Sequence, residues 1–181
     1  MSGILSVGRM SQDQNYQPFT VNPALGTPLP RNSLDGEVWV TTAKLEFDSR
    51  PVRKLHLSAE YRYDDRDNDT PVDTYDYVVA DSFAGTPIEN NPLSYTRNQV
   101  DLTAKYRINR TMNLLGGYTY EHMSRDYREP ERKNTRENTL FGRWKLQPHV
   151  RVDLALFAEA GWRDGSDYNA PAGENPALRK Y

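Results

Sequence analysis

The chain has 181 residues, 36% of them hydrophobic and 27% charged, with 23 basic side chains against 25 acidic ones. That length is enough for one domain, but the apolar share is thin for a packed core, and the near balance of charge gives no general pull toward nucleic acid or an anionic membrane surface. With no cysteine present, disulfides, thiolate zinc sites, cysteine nucleophiles and covalent c-type haem attachment are excluded within these residues, so no cofactor is expected in this chain.

No run of about 18 apolar residues occurs, which excludes a transmembrane helix but not a transmembrane strand, since that needs only ~9–11 residues with one apolar face. Period-2 alternation marks about seven strands, roughly at 4–11, 37–48, 54–64, 98–107, 112–121, 138–146 and 150–163. The second puts Thr41, Ala43, Leu45 and Phe47 on one face and Lys44 and Glu46 on the other. In the third, Leu55, Leu57, Ala59, Tyr61 and Tyr63 alternate with His56, Glu60 and Arg62. Val100, Leu102, Ala104 and Tyr106 then alternate with Asp101 and Lys105, and Met112, Leu114, Gly116, Tyr118 and Tyr120 precede Glu121 of the other phase. Leu140, Gly142, Trp144 and Leu146 oppose Phe141, Arg143 and Lys145, while Val152, Leu154, Leu156, Ala158, Ala160 and Trp162 oppose Asp153, Phe157 and Glu159. None of these apolar-phase residues is charged in a chain that is 27% charged, so one face is read as apolar and the other as ionic.

Short links around 49–52, 108–110 and 147–149 follow every second strand. Long polar segments, about 12–36, 65–97, 122–137 and 164–181, fill the other gaps. Tight turns and long loops therefore lie at opposite ends. The strands entering long loops resemble one another (Ala59 to Asp64, Gly116 to Glu121, Ala158 to Arg163), which reads as a repeated hairpin.

A soluble β-sandwich binding module would also alternate. Three features favour hydrocarbon over a protein interior. The strands are long against a usual ~5–6 residues. Aromatic residues of the apolar phase gather at strand ends, with Trp39, Tyr61, Tyr63, Tyr118, Tyr120 and Trp162 toward the long loops and Phe47, Tyr106 and Trp144 toward the short turns, as two lipid-interface girdles would. Short turns on one side and long loops on the other is the topology of outer-membrane barrels. The fold class expected is therefore all-β, an antiparallel up-and-down transmembrane β-barrel segment. Seven strands fall short of the even number, 8 or more, of a closed bacterial barrel, and residues 1–4 carry no charged region followed by an apolar one. A single, incomplete barrel section is expected, with any signal peptide encoded upstream.

Catalytic and metal signals are weak. Asp65-Arg66-Asp67-Asn68-Asp69 with Asp76 resembles a calcium loop, but Thr70 replaces the required glycine and no helical pattern flanks it, so a solvated turn is expected. His56, His122 and His149 are scattered without ligand spacing, and no nucleophile elbow, phosphate loop or Ser-His-Asp arrangement is visible. The charged face reads as ion pairs lining a wet lumen, with Leu115, Phe141 and Phe157 as the exceptions that suggest contact with something inside.

Several strings are similar to the MtrB/PioB type of outer-membrane barrel, the decahaem-associated family. They are Leu5 to Asp13, Asn22-Pro23-Ala24-Leu25, Leu29-Pro30-Arg31, Ser33-Leu34-Asp35-Gly36, Tyr61-Arg62-Tyr63 with Asp65-Arg66-Asp67-Asn68, Asn91 to Tyr95, and Glu121 to Arg125. The likeness runs along nearly the whole chain and covers about a quarter of a typical member's barrel. It implies a non-enzymatic, porin-like sheath in the bacterial outer membrane that houses a multihaem periplasmic c-type cytochrome, with an extracellular multihaem cytochrome as a further partner. Haem would be carried by the partner, and outer-membrane lipid would meet the apolar face. A passive porin and, at greater distance, an outer-membrane hydrolase are the rival readings.

Overall fold

A computed structural model describes residues 1–17, 22, 24, 29–76, 78–79, 83–84, 87–126 and 133–166. Seven long strands form one antiparallel sheet: β1 (Ser2–Gln12), β2 (Gly36–Val52), β3 (Leu55–Asn68), β8 (Tyr95–Arg107), β9 (Met112–Arg125), β10 (Asn134–His149) and β11 (Val152–Gly165). The four short strands β4 (Thr74–Tyr75), β5 (Val78–Val79), β6 (Phe83–Ala84) and β7 (Ile88–Glu89) form two small ladders between β3 and β8. Each long strand pairs with its sequence neighbour in the order β1-β2-β3-β8-β9-β10-β11, an up-and-down meander.

The strands outrun the expected bounds, because pairing continues wherever a neighbour supplies it. β2 passes through Pro51 to Val52 and β10 passes through Pro148 to His149, with register shifts at Ser49/Val52 and Leu146/His149. Proline cannot donate to a ladder, so it is tolerated where the pairing is already irregular. The turns themselves shrink to Arg53-Lys54 and Val150-Arg151. Tight two-residue hairpins favour φ > 0, which these turns lack; among described non-glycine residues only Asp35 has it, at φ 47. The adjacent register shifts take up the twist instead. In the third short link, Asn109 Oδ1 accepts the Thr111 amide at 2.9 Å and folds the turn locally.

At the other end, β3 runs to Asn68 rather than stopping before 65, and β9 runs to Arg125. Asp65 and Asp67 are thus strand residues paired with Thr41 and Trp39, not a solvated turn. The segments between long strands narrow to 13–35, 69–94 and 126–133, and residues 167–181 of the last expected loop lie outside the described residues.

Among the described residues no hydrophobic side chain is buried, and Ser33 and Thr70 are the only buried ones. The sheet is a single layer with both faces open. Leu5, Leu140 and Leu156 are 71%, 55% and 66% exposed, values that no roofed core would allow. A sandwich needs a second layer over the apolar face, and the described residues supply none.

Candidate functional site: the ionic face of the sheet

Register fixes which side chains share a face, because paired residues project to the same side. On the apolar side one cross-strand row reads Leu57, Ala104, Gly116, Gly142, Ala158, flanked by Ala59, Leu102, Tyr118, Leu140, Ala160 and by Leu55, Tyr106, Leu114, Trp144, Leu156. The next row toward the long loops carries Leu45, Tyr61, Val100, Tyr120, Asn138 and Trp162, and the row after that turns polar with Asn98, His122, Arg136 and Asp164. Small side chains in the centre leave a hollow of about 820 Å³ between the aromatic and aliphatic ridges.

Trp39, Phe47, Tyr61, Tyr63, Tyr106, Tyr118, Tyr120, Trp144 and Trp162 share this face by register. Phe47 and Tyr118 fall in one row perpendicular to the strands, Phe47–Ala59–Leu102–Tyr118, which strand tilt carries across the depth of the sheet. Two phenols bond within the face: Tyr61 donates to Asn98 Oδ1 at 2.7 Å and Tyr118 to Asn138 Oδ1 at 2.6 Å. Asn98 and Asn138 were not singled out by alternation, which sees only polarity, yet they satisfy hydroxyls on an otherwise apolar surface. Trp39 sits in a third polar arrangement, where Arg9 lies 5.6 Å from its ring, Arg9 pairs with Glu37 at 2.8 Å, and the indole N–H donates to Glu37 at 2.9 Å.

The opposite face carries the remaining candidates. Lys44 bridges Glu46 at 2.6 Å and Glu60 at 3.3 Å, and Arg62 pairs with Glu60. Arg97, missed by the alternation count, pairs with Glu121 at 2.7 Å, and Arg163 pairs with Glu137. Asp101 accepts from the Thr119 hydroxyl at 2.7 Å and from Gln99 at 2.8 Å. His56 stands 3.4 Å from Asp48 on this same face. Lys44–Glu46 and Arg62–Glu60 lie within a strand, while Lys44–Glu60, Arg97–Glu121 and Arg163–Glu137 cross between strands; partly exposed, the cross-strand pairs help set register rather than drive folding.

Phe141 and Phe157 have separate roles. Phe141 opposes Gly117, and its ring lies where a Gly117 Cβ would be, so the glycine makes a seat for the aromatic ring. Phe157 opposes Arg143, whose guanidinium lies 5.4 Å from the ring centroid. Lys105 opposes Leu115 and His56, while Lys145 opposes Asn113 and Ala155. Glu159 shares the row of Phe141 and Gly117, and Asp153 lies at the short-turn end.

No group of three or more His, Asp or Glu residues that could hold a metal is present among the described residues. His122 lies on the apolar side near the long-loop end, and His149 Nδ1 accepts the Arg151 amide at 3.3 Å, so the three histidines do not converge.

Two long segments are tied together beyond the sheet. Arg31 pairs with Asp73 and donates to the Pro71 carbonyl at 3.0 Å, and the Tyr16 and Tyr75 hydroxyls are 2.9 Å apart with rings edge to face. Burial and the Tyr75 hydroxyl push the Tyr16 phenol up to about 12. Burial opposes the charge on Arg31, but Asp73 more than offsets it and the guanidinium pKa is raised. The buried Ser33 hydroxyl sits 2.7 Å from Asp35 and 2.8 Å from Asp13, and hydrogen bonds from Ser33 and Asp13 hold the Asp35 carboxyl below its ordinary range.

Comparison with known proteins agrees with this two-faced sheet. Residues 1–181 match the family described as outer membrane beta-barrel porin, MtrB/PioB. The chain is 34% identical over 185 residues to the Outer membrane protein MtrB of Shewanella baltica, an alignment that covers 100% of this chain and 26% of that relative. The chain thus spans about a quarter of the length of the curated relative it matches. With its meander, its unroofed apolar face and a match that runs from end to end, the chain belongs to the MtrB/PioB family of outer-membrane β-barrel porins.

Proposed function

We propose that this chain is one section of the wall of a closed outer-membrane barrel that sheathes a multihaem periplasmic c-type cytochrome, so that electrons cross the membrane through the partner's haems. The observation that supports it best is the open, single-layer sheet with an apolar face on one side and a charged face on the other. Hydrocarbon takes the first face and a polar occupant takes the second, because edges and backbone groups in lipid must be closed off by further strands. In this reading Trp39, Phe47, Tyr61, Tyr63, Tyr106, Tyr118, Tyr120, Trp144 and Trp162 meet the lipid interface. The interior is lined by Lys44, Glu46, His56, Glu60, Arg62, Asp101, Lys105, Glu121, Phe141, Arg143, Lys145, Asp153, Phe157 and Glu159.

The sheath has no catalytic step of its own. It supplies a low-dielectric wall and fixes the partner's position, while the electron-carrying chemistry belongs to the haem protein. A second reading, a passive porin, draws on the balanced ion pairs of Lys44, Glu60, Arg97 and Glu121, which a water-filled lumen would also carry. Affinity purification of the complete barrel from outer membranes separates the two. A haem-staining partner in fixed ratio is expected; a barrel that repeatedly comes free of haem and conducts ions freely would overturn the sheath in favour of the porin.

A further inference from the structure

Ion pairing of the basic side chains is mixed toward the long loops and lacking toward the short turns. Toward the long loops Arg9, Arg31, Arg97 and Arg163, and at mid-sheet Lys44 and Arg62, each have a carboxylate partner, whereas Arg66 and Arg136 at the long-loop end have none among the described residues. Toward the short turns no described arginine or lysine has one. Arg50, Arg53, Lys54, Lys105 and Arg107 crowd a hollow of about 320 Å³ whose lining includes no acid. Arg110 and Lys145 line a second hollow of about 380 Å³ with Asp153 as its one carboxylate, and Asn113 lines both, so the two adjoin. None of the arginines or lysines in these hollows makes an ion pair among the described residues; Lys54 donates instead to the Ile108 carbonyl at 2.9 Å.

We propose that this unpaired collar of positive charge is a docking surface for an acidic protein surface that enters the barrel from the short-turn side, the periplasmic mouth in outer-membrane barrels. The inference rests on the sheath reading in taking the interior as occupied. Like charges gathered at a low-dielectric mouth repel one another and raise a field that an anionic occupant relieves, and that field steers its approach within the ~8 Å reach of electrostatics at physiological salt. Register favours a protein over lipid headgroups. Lys105 and Arg107 alternate with Ala104 and Tyr106, and Arg143 and Lys145 alternate with Trp144 and Leu146, so these strand cations project from the face opposite the apolar one. The collar supplies the charge, and Arg143 with Phe157 adds a flat cationic and aromatic patch beside it.

The test uses the complete barrel in nanodiscs and a fluorescein-labelled oligoglutamate, read by anisotropy. Lys105→Gln, Arg107→Gln and Lys145→Gln together should weaken binding about tenfold. The matching set away from the short turns, Arg62→Gln, Arg97→Gln and Arg163→Gln, should leave it within about twofold. Heat-modifiable migration confirms that both variants are folded, and wild-type binding should weaken steeply with salt. Equal loss in both variants, or no loss in the collar variant, overturns the proposal. So does a collar variant that sheds co-purified phosphatidylglycerol while oligoglutamate binding is unchanged, which would assign the cations to lipid. A barrel that binds the probe through the collar but never copurifies with a haem protein would instead defeat the sheath reading and leave the collar standing.

Discussion

Leu140 lies four residues from Trp144, in the aromatic row near the short turns, and four from Arg136, where the apolar face turns polar. At ~3.3–3.4 Å per residue that is about 13 Å of strand on either side, and roughly 10 Å of depth for a strand tilted by about 40°. If hydrocarbon covers this face, Leu140→Arg places a charge near the middle of the apolar band and costs about 2–4 kcal/mol, roughly a 30- to 800-fold shift in the folding equilibrium. If water covers it, a 55% exposed side chain tolerates the change within about 0.5 kcal/mol. Thr139, one residue away on the opposite face between Thr119 and Gly161, provides the control, and Thr139→Arg is expected to stay within about 0.5 kcal/mol. The assay is reversible folding of the complete barrel into short-chain phosphatidylcholine vesicles across a urea series. Equal effects of the two substitutions, or a Leu140→Arg cost below about 0.5 kcal/mol, would refute the assignment of faces.

Gly117→Ala should destabilise the barrel by about 1–3 kcal/mol, because the new methyl meets the Phe141 ring and the Leu102 carbonyl oxygen at 2.9 Å. Adding Phe141→Ala should recover part of that cost in a double-mutant cycle, and strict additivity would show that the two do not share a seat. Glu121→Gln breaks the pair with Arg97 and should cost under about 1 kcal/mol in the same urea series, so a larger loss would mark the pair as more than a register device. Tyr16 should ionise near 12, against 10.0 for its free value. Between those pH values the folded clasp binds more protons than the unfolded segment, so its stability is intact below pH 10 and falls as pH rises toward 12. The absorbance difference between wild type and Tyr16→Phe reads this directly, and a midpoint near 10 would contradict the clasp. Asp35 runs the other way: its lowered carboxyl stabilises the turn above the ordinary carboxylate range and loses that contribution as pH falls through the folded value, seen as faster amide exchange at 33–35.

Alternation made the sheet legible because its physical cause is local. A strand with two different solvents on its faces must write them into successive residues, and Leu140, Phe141, Gly142, Arg143 and Trp144 show it within five positions. Strand ends were less legible. Pro51 and Pro148 read as turn residues, yet pairing carries both strands past them through register shifts, and the acidic run at 65–68 reads as a loop although Thr41, Val40, Trp39 and Val38 hold it in the ladder. The ionic face was visible as a face and hidden as a set of partners. Arg97–Glu121 and Arg163–Glu137 depend on cross-strand register, which one chain's polarity pattern does not encode. The seat of Phe141 on Gly117 and the unpaired cations near the short turns needed three-dimensional neighbours for the same reason.

Single cysteines introduced along β10 from 138 to 146, in a chain that contains none of its own, offer the most direct measurement. Spin-labelled in the complete barrel and reconstituted in lipid vesicles, positions 138, 140, 142, 144 and 146 should be open to oxygen and closed to a water-soluble nickel reagent, with the odd positions showing the reverse or protection by an occupant. Loss of the two-residue period, or even positions closed to both reagents as under a second protein layer, would contradict hydrocarbon as the solvent of the apolar face.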